Sequence, residues 1–115
     1  MSRIISLHEY ELKREGRREA FEEAILKARH DGLLKLSGFE ETLFLKGIRG
    51  KRREKFASLW IYPSRESWER IWGPAENPRK KDDYPENWKI WENEVLAPFL
   101  SQAPHKIAYT AYEEF

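Results

Sequence analysis

The segment Phe56–Tyr62 constrains the fold most, because it is apolar at both alternating sets of positions. Trp60 and Tyr62 fall on one side of a strand, and Leu59 and Ile61 fall on the other. Successive side chains of a strand point to opposite faces of the sheet. This strand therefore belongs to a sheet that needs cover on both of its faces.

The hydrophobic pattern along the chain predicts the element order β-α-β-β-α-α-β. Strands are predicted at Ile4–Leu12, Phe39–Ile48, Phe56–Tyr62 and His105–Tyr112, and helices at Arg17–Asp31, after Ser64 and after Pro85. The glycine-containing basic segment Gly47–Lys55 predicts a hairpin loop. Two β-α-β halves joined by a hairpin indicate an α+β, ferredoxin-like fold with antiparallel strand order 4-1-3-2. With 115 residues, we expect residues 1–115 to form one domain.

A four-stranded sheet with helices on one face leaves its second face uncovered. A second copy of the chain is the simplest cover, so we predict a homodimer through the sheet faces. The face with His8, Tyr10 and Trp60 is amphipathic and aromatic. Because tyrosine and tryptophan are enriched at interfaces, this aromatic face is predicted to meet the partner.

Composition excludes several classes of function. The chain has 21 basic and 20 acidic residues, which argues against a nucleic-acid partner. It has no cysteine, which excludes disulfides, thiol catalysis and zinc–thiolate sites, and three histidines make a metal site improbable. We expect no metal and no cofactor. The sequence shows no signal-peptide pattern and no membrane-length apolar run, so we expect no membrane association and a cytoplasmic location.

Three polar residues of the first strand are the candidate catalytic residues. His8 and Tyr10 share a strand face and could form a proton-transfer pair, or else be hydrogen-bonded interface residues. Glu9 lies on the other face with aliphatic neighbours, where burial would raise its pKa and let it act as a base. The alternative for Glu9 is a position at the strand end, paired with an arginine or in solvent.

The five tryptophans are unusual in so short and highly charged a chain. Aromatic rings can line a pocket for a flat apolar or aromatic ligand. The candidate ligand-binding residues are Trp60, Tyr62, Trp68, Trp72, Trp88 and Trp91. The alternative is that these rings fill the core, which the helical spacing of the last four tryptophans favours.

Three segments carry a family resemblance. They are Ile4–Leu12 followed by a helix, Gly38-Phe39-Glu40 before the second strand, and the strand-to-helix passage Leu59–Trp68. The sequence resembles the dimeric α+β-barrel superfamily, which includes antibiotic-biosynthesis-monooxygenase-like, stress-responsive A/B-barrel and NIPSNAP-like domains. The resemblance implies that two sheets pack into one barrel, with a ligand pocket between sheet and helices of each protomer. The asparagine and histidine of the haem-degrading members have no counterparts in the first strand or in residues 74–102.

The resemblance implies a cofactor-free monooxygenase-like enzyme that binds a small aromatic or apolar ligand between sheet and helices. The alternative is a non-catalytic ligand-binding or stress-related protein, whose aromatic residues serve the core and the dimer interface. A pocket with converging polar groups would favour the enzyme, and closely packed tryptophans would favour the alternative.

Overall fold

The computed structural model describes residues 2–13, 17–35 and 39–115. The helices and strands follow the predicted order. The strands are β1 Ile4–Tyr10, β2 Glu41–Lys46, β3 Phe56–Tyr62 and β4 Ala108–Glu113, and the helices are α1 Arg18–His30, α2 Arg65–Trp72 and α3 Glu86–Ile90. A π-helical stretch, Trp91–Leu96, follows α3. Among the described residues, no helix is both long and apolar enough to cross a bilayer.

The four strands form one antiparallel sheet in the order β2-β3-β1-β4. This confirms the predicted strand order 4-1-3-2 and the α+β, ferredoxin-like fold class. In the central pair, Ile4 lies opposite Tyr62 and Tyr10 lies opposite Phe56. The described residues form two compact units. The first contains residues 2–10, 39–84 and 108–115, and the second contains residues 11–13, 17–35 and 85–107.

Three strands are shorter than the sequence pattern predicts. β1 ends at Tyr10, and Leu12 instead forms an isolated bridge with Leu100. The guanidinium of Arg52 donates hydrogen bonds to the carbonyl oxygens of Tyr10 (3.1 Å) and Phe56 (2.9 Å). These two residues are the last pair of the β1–β3 ladder, so the arginine satisfies the carbonyls where the ladder stops.

The other shortened strands are β2 and β4. β2 covers Glu41–Lys46 of the predicted Phe39–Ile48, and Gly38 of the resemblance lies outside the described residues. β4 begins at Ala108, because Pro104–Lys106 forms a 3₁₀ turn before it. Proline has no backbone N–H to give to a sheet ladder, which favours the turn.

Helix α2 begins after Ser64, as the sequence predicts. Ser64 is its N-cap, and the Ser64 hydroxyl accepts a hydrogen bond from the backbone N–H of Ser67 at 3.1 Å. Gly73 ends the helix with a positive φ of 87°, a conformation that favours glycine. The indole N–H of Trp72 donates to the hydroxyl of Tyr62 at 3.0 Å, so α2 lies on the aromatic face of the sheet.

The prediction that the aromatic face meets the partner is wrong. We call this face, which carries Tyr10, Trp60 and Tyr62, the inner face, because these three side chains are buried within the chain itself. The other face, which we call the outer face, is largely aliphatic and at least partly exposed except at Ile61, which is buried. Its residues are Ile5, Leu7, Glu9, Glu41, Leu43, Leu45, Ala57, Leu59, Ile61, Ala108, Thr110 and Tyr112. Alternation in the sequence reveals two apolar faces but does not tell which one a helix covers.

Candidate functional site

A row of hydroxyl groups and one imidazole crosses the inner face. The Ser6 hydroxyl lies 3.0 Å from Nε2 of His8. The hydroxyl groups of Tyr10 and Ser58 lie 2.7 Å apart, and the indole N–H of Trp60 donates to the Ser58 hydroxyl at 2.8 Å. We call these residues the polar row. Its members come from β1 and β3, in which His8 is directly opposite Ser58.

The imidazole of His8 is neutral at pH 7. Burial lowers the pKa of His8 to about 4, because a charged ring loses its hydration in the interior. The residue as a whole retains some exposed area, but its ring nitrogen Nδ1 is buried. A neutral imidazole has one nitrogen that donates a hydrogen bond and one that accepts. His8 can therefore recognise a hydroxyl group in either sense.

Aromatic rings surround His8 and Trp60. The ring centroid of His8 lies 6.0 Å from that of Trp60 and 5.8 Å from that of Tyr109. Phe39 and Phe44 lie edge-on to Trp60, at centroid distances of 5.7 and 6.1 Å. The pairs with Tyr109, Phe39 and Phe44 are edge-to-face, a favourable geometry, whereas the rings of His8 and Trp60 are tilted by 35°. We call these five rings the aromatic cluster.

The aromatic cluster reaches the surface at Tyr109. Trp60 is completely buried, whereas Tyr109 is 64% exposed. Tyr109 lies opposite His8 in the β1–β4 ladder, and β4 is an edge strand of the sheet. The contacts of His8 with Trp60 and with Tyr109 therefore connect the buried centre of the inner face with a ring that solvent can reach.

Tyr62 and Trp72 form a second contact on the inner face. Burial raises the pKa of Tyr62 to about 12, and the hydrogen bond from Trp72 opposes this shift. The phenol of Tyr62 thus keeps its proton at neutral pH. Trp72 also lies perpendicular to Tyr84, with the ring centroids 5.2 Å apart. The two residues can contact a ligand, but Tyr62 cannot serve as a base at neutral pH.

The three candidate catalytic residues do not come together. His8 and Tyr10 share the inner face, as the strand pattern predicts. Glu9 lies on the outer face, where its carboxylate is 3.1 Å from Nε of Arg52. About a third of each of these side chains is exposed. This is the arginine pairing that the sequence left open as an alternative for Glu9.

The candidate ligand-binding tryptophans divide between the two units. Trp60, Trp68 and Trp72 belong to the first unit, and Trp88 and Trp91 belong to the second. Trp60, Trp88 and Trp91 are buried, whereas Trp68 and Trp72 are partly exposed. Only one of the five, Trp60, is a member of the aromatic cluster.

Known proteins share this architecture without sharing much sequence. No protein-family model matches the sequence, and no curated protein matches it. A DABB family protein with a ferredoxin-like fold from Mesorhizobium loti has a TM-score of 0.64 and 13% identity, over 97% of this chain and 96% of its own. A putative antibiotic biosynthesis monooxygenase from Bordetella bronchiseptica has a TM-score of 0.63 and 10% identity, over 100% and 97%.

A third similar structure is a dimeric ferredoxin-like protein of unknown function from Thermobifida fusca. Its TM-score is 0.51 at 10% identity, over 97% of this chain and 89% of its own. The chain has the ferredoxin-like fold of these proteins. These neighbours are of the kinds that the sequence resemblance named. At such low identity, the shared ferredoxin-like fold does not show that these proteins share a ligand or a reaction.

Within this ferredoxin-like fold, several residues of the site have no sequence signal of their own. Ser58 and Tyr109 contact Tyr10 and His8 only because of the strand register. Ser6 contacts His8 from two positions earlier on the same strand. A serine between apolar residues of a strand gives no hint of a partner across the sheet. Once β1, β3 and β4 are aligned, the pairings of His8 with Ser58 and Tyr109 follow directly.

The second unit contains a groove that the sequence did not predict. It has a volume of about 530 Å³ and is lined by residues of α1, its C-terminal turn, α3 and the π-helical stretch. Its apolar lining includes Ala28, Ile90 and Val95, and Lys27 and Asp31 form an ion pair at its rim. None of the five tryptophans lines it. In the described part of the chain, no cluster of three or more acidic or histidine side chains could hold a metal ion.

Proposed function

We propose that the protein is a homodimer that binds a small aromatic or apolar molecule on the inner face, beside Tyr109 and His8. The observation that carries this proposal is the aromatic cluster, which contains a neutral imidazole and has an exposed ring at its edge. Stacking on Tyr109 would contribute about 0.5–1.5 kcal/mol. A hydroxyl or carbonyl group on the ligand would hydrogen-bond to the imidazole of His8.

The dimer part of the proposal rests on the outer face. Leu43 and Leu45 are 37% and 41% exposed, and Tyr112 is 54% exposed. Leu43 and Leu45 are neighbours on β2, and adjacent exposed apolar side chains of this kind are typical of an interaction surface. The similar protein from Thermobifida fusca is described as dimeric. A second copy of this chain would cover the outer face and leave the inner face to the ligand.

A second candidate function is catalytic, as a monooxygenase-like enzyme that needs no cofactor. It is favoured by the fold shared with the putative antibiotic biosynthesis monooxygenase and by the neutral imidazole among hydroxyl groups. His8 would accept a proton from an acidic hydroxyl of the substrate, although a pKa of about 4 makes it a weak base. Oxygen uptake with a panel of dihydroxyaromatic molecules decides between the candidates. Uptake that disappears in His8→Phe supports catalysis, and binding without uptake supports the first candidate.

The two exposed tyrosines of β4 provide matched variants for the ligand site. Tyr109 lies on the inner face and Tyr112 on the outer face of the same strand. We expect Tyr109→Ala to weaken binding of a small aromatic molecule about three- to tenfold, because it removes one stacking contact. Tyr112→Ala should leave this affinity unchanged. Fluorescence quenching of the tryptophans and thermal shift measure both, since a bound ligand stabilises the fold. Equal losses in the two variants would contradict the proposed location.

The homodimer is tested by sedimentation at micromolar concentration. We expect a species of twice the 13.8 kDa of one chain. Leu59→Asp should shift this species toward the monomer, because it places a charge in the middle of the outer face. A single 13.8 kDa species for the natural sequence would contradict the dimer.

A further inference from the structure

The hairpin that joins β2 and β3 concentrates positive charge at one end of the sheet. We call residues 47–55 the basic hairpin. We propose that the basic hairpin docks an acidic segment of a partner protein, in which carboxylate side chains flank an apolar one. This interaction is separate from the ligand site of the inner face and does not require the homodimer.

The basic hairpin differs in charge from the rest of the chain. It contains five basic residues and one acidic residue, which gives it a net charge of +4. The basic residues are Arg49, Lys51, Arg52, Arg53 and Lys55, and the acidic residue is Glu54. The whole chain has a net charge of +1, so the residues outside the hairpin together carry −3. An acidic partner is therefore attracted to the hairpin and repelled by the net charge of the remaining chain.

Three of the cations are available to a partner. Arg52 is engaged within the chain, by Glu9 and by the carbonyl oxygens where the β1–β3 ladder stops. Arg49, Lys51 and Arg53 lie at exposed positions, and no ion pair engages them within the described part of the chain. A guanidinium group binds a carboxylate through two parallel hydrogen bonds, so the two arginines suit aspartate or glutamate side chains.

An exposed isoleucine lies next to these cations. Ile48 is 86% exposed and directly precedes Arg49. An apolar side chain beside charged ones resembles the arrangement of a protein interface, where a buried anchor is bordered by polar groups. A partner residue that covers Ile48 removes apolar surface from water, which favours binding. The partner segment is therefore expected to offer an apolar side chain as well as carboxylates.

The basic hairpin has a defined backbone. The backbone N–H of Gly47 donates to the carbonyl oxygen of Lys55 at 2.9 Å, and that of Glu54 donates to the carbonyl oxygen of Gly47 at 2.7 Å. A Cβ atom at Gly47 would collide with the backbone carbonyl of Arg52, so this close approach requires glycine. Because the loop is already ordered, less conformational freedom is lost when a partner binds it.

Carboxylates at the opposite end of the sheet do not neutralise the basic hairpin. Glu40, Glu41, Glu113 and Glu114 lie at the end where β2 begins and β4 ends. Strands rise about 3.3 Å per residue, so the six residues of β2 separate the two ends by about 20 Å. This distance exceeds the screening length of about 8 Å at physiological ionic strength. The hairpin therefore acts on its surroundings as a separate positive patch.

A short acidic segment suits the basic hairpin better than a nucleic acid or a lipid surface. Both of these extend beyond the hairpin, and their negative charge would approach the rest of the chain, which carries −3. The hairpin contains no aromatic ring on which bases could stack, and none that would anchor it at a membrane interface. A peptide can contact the hairpin alone and supply both carboxylates and an apolar group.

A synthetic peptide tests the interaction with the whole chain. The probe is a fluorescein-labelled peptide in which glutamates flank one leucine, and fluorescence anisotropy reports its binding. We expect saturable binding that weakens as the sodium chloride concentration rises, because salt screens the attraction. The same peptide with glutamine at each glutamate should bind at least about tenfold more weakly. Absence of saturable binding, or equal affinity for both peptides, would overturn the proposal.

Neutral substitutions locate the site of binding. Lys51→Gln with Arg53→Gln should weaken binding of the glutamate peptide about three- to tenfold, because two charge contacts are lost. Lys80→Gln with Lys106→Gln removes the same charge from exposed positions elsewhere and should leave the affinity within about twofold. Equal losses in the two double variants would mean that the peptide responds to net charge alone, which would overturn the assignment to the basic hairpin.

A double-mutant cycle tests the apolar contact. Ile48→Ala should weaken peptide binding about fivefold, whereas Leu26→Ala, at a leucine of α1 that is 61% exposed, should not change it. A peptide with serine in place of its leucine should bind the natural chain about fivefold more weakly, but should lose little more with Ile48→Ala. Fully additive losses would overturn the pairing of the two apolar side chains.

Two competing probes test the choice of partner. They are phosphatidylserine vesicles and a single-stranded oligothymidylate, measured at the same ionic strength as the peptide. Weaker binding of both than of the glutamate peptide supports an acidic protein segment. Tighter binding of either one, lost in Lys51→Gln with Arg53→Gln, would overturn it in favour of a lipid or a nucleic-acid partner.

Discussion

Replacing Trp60 with alanine is expected to lower the free energy of unfolding by about 3–5 kcal/mol. Trp60 is completely buried and lies in the middle of the aromatic cluster. Removal of its ring deletes contacts with Phe39, Phe44 and His8 and leaves a cavity that these rings can fill only in part. Chemical denaturation followed by circular dichroism measures this loss without depending on tryptophan fluorescence.

Two further variants separate the causes of this loss. Trp60→Phe keeps a ring but removes the hydrogen bond to Ser58, and it should cost less than Trp60→Ala. Trp68→Ala removes an indole that is partly exposed on α2, and it should cost less than either core truncation. A loss below about 1 kcal/mol for Trp60→Ala would show that the ring is not packed as a core residue.

These expectations depend on which face of the sheet α2 covers, and the sequence does not determine this. The apolar residues of Phe56–Tyr62 predict both ends of this strand correctly, because alternation has a period of two and Pro63 ends the strand. The same alternation assigns Trp60 and Leu59 to opposite faces. It does not tell which face α2 covers, because both are apolar. The hydrogen bond from Trp72 to Tyr62 settles this point, and no sequence pattern reveals such a bond.

The same alternation predicts which faces of the sheet the candidate catalytic residues occupy, but not their partners. The strand pattern places His8 and Tyr10 on one face and Glu9 on the other, and the structure has them so. The aliphatic neighbours of Glu9 predict a base, but a side chain at a strand end can turn to a cation from another loop. Arg52 is that cation, and it comes from the basic hairpin 43 positions along the chain from Glu9. Contacts between distant segments depend on register and loop geometry, which local patterns do not contain.

Acidification is expected to destabilise the protein through His8. The pKa of His8 is lowered to about 4 in the folded state by burial, against 6.5 for an ordinary histidine. Between these two values the unfolded chain binds a proton that the folded chain does not. The stabilising effect of the neutral imidazole is therefore complete above pH 6.5 and decreases as the pH falls toward 4. The total decrease is up to about 3 kcal/mol, and below pH 4 this contribution no longer changes.

The difference between the natural protein and His8→Phe isolates this effect from the titration of carboxylates. The phenyl ring fills similar space among Trp60 and Tyr109 but binds no proton. The free energy of unfolding, measured by urea denaturation at several pH values from 4 to 7, should therefore fall less steeply in His8→Phe. His30→Gln is the matched control, because the His30 side chain is 90% exposed, and it should keep the steeper dependence. Equal slopes for the natural protein and His8→Phe would mean that the imidazole stays in contact with water, and that the inner face beside Tyr109 is open enough to hydrate it.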